Sequence, residues 1–223
     1  MKDELKRKKI INGKLDKDSL YPDNMKKISN LCIDEINKKK SILPKNESIE
    51  VRIKTAIKAL NQGRDPEEIC RMLDWKEFEF LSLEAFKLSG YQAIKGFIFN
   101  SSGRRFQIDI ISIRSNIILC VDCKHWAFSN WFSKLKEASE NQLKRAEALS
   151  KNIELITKKF SIKISNKNYI IPVILTLGDP RTRIVEGVPI VSVLKLNDFL
   201  YGLTYPDNLG LKYFISTLPA EIN

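Results

Sequence analysis

Hydrophobic positions along the chain change their spacing, and the changes mark out elements. Across residues 1 to about 50 they are sparse among lysine, asparagine and aspartate, with runs such as Lys6-Arg7-Lys8-Lys9 and Lys38-Lys39-Lys40. Ile28, Leu31, Cys32 and Ile36 recur at helical spacing, which predicts one helix there. A second helix runs from about Val51 to Asn61 and is closed by Gln62-Gly63. Asp65-Pro66-Glu67-Glu68 then supplies an N-cap, a first-turn proline and a capping-box glutamate for a short helix from Pro66 to Leu73. Two short helices across a tight turn permit a helix-turn-helix reading. A small helical layer packed on a larger domain is the commoner use of such a pair. Asp74-Trp75-Lys76-Glu77 repeats the cap signature and opens a helix with Phe78, Leu81, Ala85 and Leu88 on one face, ended by Gly90.

After Gly90 the spacing becomes that of strands. Gly96 to Asn100, Arg105 to Arg114 and Asn116 to Lys124 predict a three-stranded meander, the last two strands joined by a tight turn at Arg114-Ser115-Asn116. A long helix from about Phe132 to Lys158 follows. Strands at Tyr169 to Leu177 and Pro189 to Val193 and a helix around Leu196 to Leu203 complete the series. This order predicts an α/β sandwich, with a central mixed β-sheet flanked by helices and a helical region ahead of it. The expected division is a basic helical N-terminal region, residues 1–73, and a larger domain, residues 74–223.

Composition narrows the class. The chain has 223 residues, 43% of them hydrophobic, which is enough for a core and argues against wholesale disorder. Its longest apolar run, Tyr169 to Leu177, holds Pro172 and is far short of the roughly 20 residues of a membrane span. MKDELKRKKI has charges where a signal peptide would be apolar. Four cysteines in a chain this long do not make a disulfide framework. A soluble cytoplasmic protein with no membrane partner is therefore expected. The formal net charge of +11 favours a polyanionic partner, because lysine and arginine facing phosphates release counterions.

The segment FQIDIISIRSNIILCVDCKHW carries the candidate chemistry. In the first strand Arg105, Gln107 and Asp109 alternate with Phe106, Ile108 and Ile110; in the second, Asp122 and Lys124 share a face. A carboxylate in an apolar strand is costly unless a cation compensates it, and two on adjacent strands repel each other. A divalent metal between Asp109 and Asp122 resolves both costs, and Mg2+ or Mn2+ suits hard carboxylate oxygens. Lys124 would then point at the same site, where it could act on a water or stabilise charge on a phosphate. The bland alternative is a buried Asp109–Lys124 ion pair.

Asp109 followed by Asp122-Cys123-Lys124 resembles the signature of the PD-(D/E)xK nuclease superfamily, the restriction-endonuclease-like fold. Phe78-Glu79 followed by Gly90-Tyr91 is similar to the opening of Mrr-type restriction endonucleases and archaeal Holliday junction resolvases. The resemblance covers about Trp75 to Leu203. It departs from the family pattern in having Ile108 where the proline that names the superfamily stands, and Asp122 where glutamate is commoner. It implies that Glu79, Asp109 and Asp122, with the Cys123 backbone carbonyl, hold Mg2+, with Mn2+ as substitute, and that Lys124 assists the attacking water.

Further residues are candidates beside these five. Gln142 lies on the apolar stripe of Leu135, Ala138, Ala146, Leu149 and Ile153, either as a satisfied core residue or as support for the site, the latter being what the resemblance implies. Arg104 and Arg105, at the entrance to the first strand, and Arg145, beside Gln142, are candidate DNA contacts, whereas Lys144 reads as a solvated helix face. His125, the only histidine, points away from Asp122 and Lys124 by parity and reads as a strand-end or DNA-contacting residue. Cys120 and Cys123 have zinc-site spacing, but residues three apart on a strand face opposite ways, which excludes a shared metal. Trp126 and Trp131 flank the loop Ala127 to Asn130, as core aromatics or stacking surfaces. Arg181 and Arg183 could extend a basic rim.

The expected function is a Mg2+-dependent endodeoxyribonuclease of restriction or repair type, in the cytoplasm and associated with the nucleoid of a prokaryote. DNA is the expected partner; a homodimer, or a helicase or other DNA-processing protein, would be a further one. The alternatives are a non-catalytic DNA-binding or scaffold module that keeps the fold, and a structure-specific Holliday junction or flap nuclease.

Overall fold

The computed structural model describes residues 42–126, 132–178, 180, 182–203 and 209–218. The chain divides into a unit from Met1 to Ile42 and a compact unit from Leu43 to Asn223. The helix expected around Ile28 to Ile36 lies outside the described residues, as do Trp131, the loop 127–130 and Arg181.

Three helices open the second unit: α1 (Ile49–Asn61), α2 (Pro66–Arg71) and α3 (Trp75–Leu88). Each starts where a side chain satisfies an otherwise unbonded amide. Ser48 caps α1, Asp65 caps α2, and Asp74 forms a complete capping box with Glu77 on α3. The buried stripe of α3 includes Phe78, Leu81, Leu83 and Phe86. Leu88 does not belong to it: Phe86 fills the last turn, and Leu88 is 79% exposed. Arg52 of α1 ties this layer together. Its guanidinium pairs with Glu77 and donates to the carbonyls of Pro44 and, at 2.9 Å, Met72. One charged group thus joins the start of the unit, the end of α2 and the first turn of α3.

The sheet begins with β1 (Gln92–Ser101), β2 (Arg104–Arg114) and β3 (Ile117–Lys124), a meander of antiparallel strands. β1 starts four residues earlier than the sequence predicts, because the ladder runs past Gly96 to pair Gln92–Lys95 with Ile110–Ile113. The predicted long helix is two: α4 (Phe132–Ser150) and α5 (Glu154–Phe160). Asn152 breaks it by donating its side-chain amide to the Ala148 carbonyl at 2.8 Å and to Ser101 Oγ at 2.9 Å.

α4 and α5 carry the chain over to β4 (Lys167–Thr176), which pairs parallel with β3. β5 (Ile184–Val185) and β6 (Val188–Ser192) form a hairpin whose turn residues, Glu186 and Gly187, both have positive φ, as a tight two-residue hairpin requires. A 3-10 turn, Val193–Lys195, leads into α6 (Leu196–Gly202), and β7 (Phe214–Thr217) follows. The seven described strands run β1-β2-β3-β4-β6-β5, and β7 also pairs with β4. On its outer side β4 thus has β7 against residues 167–170 and β6 against 174–176. Pro172, which lacks an N–H, sits in the gap between them.

The core follows from these layers. Beneath α4 and α5 lie Ile108, Ile111, Ile118 and Cys120, packed on Ala146, Leu149 and Ile156. A second cluster joins Leu135 and Ala138 to Ile174, Val188 and Ile190. The result is an α/β sandwich with a mixed sheet flanked by helices, consistent with the restriction-endonuclease-like fold. Among the described residues no helix is long and apolar enough to cross a membrane.

Candidate active site

The site forms where the sheet opens. The β2–β3 ladder ends at the pair Ile110–Val121, one residue short of Asp109 and Asp122. Beyond that pair Asp109 uses its side chain: Oδ2 accepts the backbone N–H of Cys123 at 2.9 Å. The amide that the ending ladder leaves over is thereby satisfied. β3 itself is held on its other side, where Asp122 to Lys124 run beside Ile174 to Thr176 of β4.

Asp122 and Lys124 share a face, as strand parity predicts, and Lys124 Nζ lies 2.9 Å from Asp122 Oδ2. This contact has the distance of an ion pair but not the angles of a hydrogen bond, since Oδ2 has no hydrogen-bond partner. Across the site, Arg145 of α4 donates to Asp122 Oδ1 at 3.2 Å and to Gln142 Oε1 at 3.0 Å. Gln142, fully buried, donates to the Cys120 carbonyl at 2.6 Å. Gln142 therefore both satisfies the core and holds the arginine that meets Asp122. The sequence also allows a pairing of Asp109 with Lys124, and this is not what forms. Lysine and arginine both turn to Asp122.

Glu79 approaches from α3, its side chain 13% exposed, with Lys95 Nζ at 3.9 Å. Burial, followed by the charge of Asp109, pushes its carboxyl up to about 7. Burial and the neighbouring Asp122 also raise Asp109 above the usual carboxylate range, against the Cys123 amide, Lys124 and Arg145, which act the other way. A carboxyl with a raised native pKa holds its proton longer in the folded chain than in the unfolded one. Its contribution to stability is therefore complete below about 4.5 and is lost as pH rises towards about 7. Glu79→Gln removes this dependence. In EDTA, urea unfolding at about pH 5 and about pH 8 is expected to show a smaller drop for Glu79→Gln than for the wild type. Equal drops would count against the raised carboxyl.

The two aspartates fit a hard divalent cation. Both offer carboxylate oxygens, one is pushed towards protonation by burial and then by its neighbour, and the other has an oxygen without a hydrogen-bond donor. Among the described residues no three His, Cys, Asp or Glu side chains form a group that could hold a metal ion. Glu79 therefore does not close a three-carboxylate cluster with Asp109 and Asp122 in this arrangement.

Of the remaining candidates, Trp126 borders the site, with Lys124 Nζ 5.8 Å from its ring centroid, and Cys123 lends it the amide that Asp109 accepts. Arg104 and Arg105 are exposed at the β1–β2 hairpin end, paired with Ser101 and Asn100. His125 packs edge-on against Phe78, with Nε2 3.2 Å from the Cys70 carbonyl. Trp126 is half-buried against the cluster of Leu135, Ala138 and Ile174. Cys120 is buried, Cys123 is half-buried, and burial raises both thiols. Arg183 is exposed just ahead of β5. Two partners escaped the sequence reading: Lys95 beside Glu79, and Arg145 as the partner of Asp122. The second had a signal, since Arg145 follows Gln142 at helical spacing.

Residues 74–176 match the family model of the nuclease-related domain, NERD, which has the restriction-endonuclease-like fold. An uncharacterized protein of Archaeoglobus fulgidus is 29% identical over 132 residues, covering 59% of this chain and 92% of that protein. A crystal structure of a protein of unknown function is similar at 14% identity and a TM-score of 0.31, over 46% of this chain and 47% of that one.

Proposed function

We propose that the nuclease-related segment is a metal-dependent endodeoxyribonuclease. The observation that carries this reading is the meeting of Asp109, Asp122 and Lys124 at the open end of the β2–β3 ladder. Asp109, Asp122 and the Cys123 carbonyl would hold Mg2+ or Mn2+. When bound, such an ion supplies a Lewis acid for a phosphate oxygen and lowers the pKa of a water.

The chain's own residues supply the rest. Lys124 orients the attacking water and meets negative charge as it develops on the phosphate. Arg145, held by Gln142, sits where a second phosphate oxygen can exchange with Asp122. Glu79, beside Lys95 and within the electrostatic reach of Asp109, adds a further acidic group at the edge of the site. Arg104 and Arg105 extend the positive surface along the DNA backbone.

The test is a cleavage assay of the full chain on duplex, single-stranded, flap and four-way-junction DNA at equal salt, with Mg2+, Mn2+ or EDTA. Cleavage that needs the metal is expected. Preference for junction or flap would assign the enzyme to the structure-specific class. Salt-dependent binding without cleavage in either metal would overturn the enzyme reading in favour of a DNA-binding module.

A further inference from the structure

The β1–β2 ladder contains a reversal of its faces. In a regular antiparallel pair, residues three apart on one strand point to opposite sides of the sheet. Ile94 pairs with Ile111 and Phe97 pairs with Ile108. All four nevertheless pack into the same core cluster beneath α4 and α5. Each strand must therefore change face between those two pairs, at Lys95-Gly96 on β1 and at Asp109-Ile110 on β2. The pairs on either side stay in step, while Gly96 and Asp109 drop out of the ladder. Neither strand has an extra residue, so this is not a β-bulge. Lys95, paired with Ile110, reaches Glu79 and the Phe80 ring on the α3 side, as the reversal requires.

Gly96 makes the reversal affordable. Its φ is +68, in the left-handed region that glycine enters freely and other residues enter at a cost. A Cβ built there meets nothing within 4 Å, so backbone conformation and not crowding calls for glycine. The reversal also decides the direction of Asp109. With ordinary alternation Asp109 would share the face of Ile111 and Ile113 and point under α4. Instead its carboxylate reaches the Cys123 amide, and strand amides lie in the plane of the sheet.

We infer that Gly96 is a positioning residue, whose left-handed backbone turns the Asp109 carboxylate edge-on into the fork between β2 and β3. Its effect on cleavage rests on the proposed role of Asp109 in metal binding; its effect on geometry does not.

Two replacements separate conformation from bulk. Asparagine tolerates positive φ better than most residues, whereas β-branched valine resists it. In the full chain, the Cys123 amide resonance of Gly96→Val is expected to move towards its position in Asp109→Ala. Mn2+ affinity measured by calorimetry is expected to fall by about tenfold, the equivalent of the left-handed penalty of a non-glycine residue. Gly96→Asn should keep the wild-type amide position and most of the affinity. Identical behaviour of the two variants, or an unmoved Cys123 amide in Gly96→Val, would overturn the inference. If Gly96→Val does not fold, Gly96→Ala takes its place in the same comparison. If the wild type binds no Mn2+, the metal-binding role of Asp109 fails, and the amide comparison still decides the part played by Gly96.

Discussion

Lys124→Ala is expected to lose DNA cleavage by on the order of 10²- to 10⁴-fold, the range seen when a proton-transfer group or a preorganised charge is removed from an active site. The reason is local. Lys124 is the charged group that ends β3 on the face of Asp122, 2.9 Å from its Oδ2, and no described backbone amide lies there to replace it. The fold should survive, because Lys124 is partly exposed and Asp122 keeps Arg145 at 3.2 Å. Single-turnover cleavage in Mg2+, with urea unfolding as the control, checks both halves of the statement. Asp109→Ala should lose cleavage to a similar extent. Lys151→Ala, a charge removed from an exposed pair with Glu147 on α4, should not. Wild-type rates in Lys124→Ala would sink the assignment of its role.

The second large effect concerns stability. Arg52→Met is expected to destabilise the unit by about 3 kcal/mol or more, as when one partner of a buried ion pair is removed and the other stays. Glu77 is 4% exposed, and without Arg52 its remaining donor is the Asp74 amide, 2.9 Å away. The carbonyls of Pro44 and Met72 would lose their donor as well. Arg52 holds the Glu77 carboxyl below the usual carboxylate range, so this contribution is present above about 4.5 and is lost as pH falls through the lowered native value. The double replacement Arg52→Met with Glu77→Gln should recover part of the loss, because it removes the stranded charge. Denaturant unfolding of Arg52→Met, Glu77→Gln and the double replacement measures the coupling. A loss below about 1 kcal/mol in Arg52→Met would show an exposed-type pair instead.

Much of this architecture could be read from the chain because its signals are local. Asp65 and Asp74 mark helix starts through bonds to amides two or three residues away, and both caps are made as the spacing predicts. Asp109 and Asp122 stood out because an apolar strand makes a carboxylate expensive, a cost that exists before any partner is known. What could not be read depended on distant partners. Gly96 looked like the start of a strand because glycine usually interrupts one, yet β2 carries the ladder past it. Asn152 looked like one more helical residue until Ser101 and Ala148 supplied acceptors for its amide. β5 and β7 are too short to show a period and exist because β6 and β4 offer edges. The parity of Asp109 could be counted but not its direction, since the count assumes an alternation that the strand abandons there.

The order in which the strands can associate has a consequence in time. β1, β2 and β3 are neighbours in sequence and can zip together by short turns, but the parallel pairing of β3 with β4 must await the whole of α4 and α5. Pairings across such separations pay their loop entropy before they gain contacts, and form slowly. Asp122 and Lys124 lie on β3, at the level of Ile174 and Thr176. During synthesis the carboxylate–lysine arrangement thus lacks its supporting strand until residue 176 has left the ribosome and the crossover has closed. A chain that is still being made, or that stops short, thus carries Asp122 and Lys124 on a strand without the neighbour that holds it rigid.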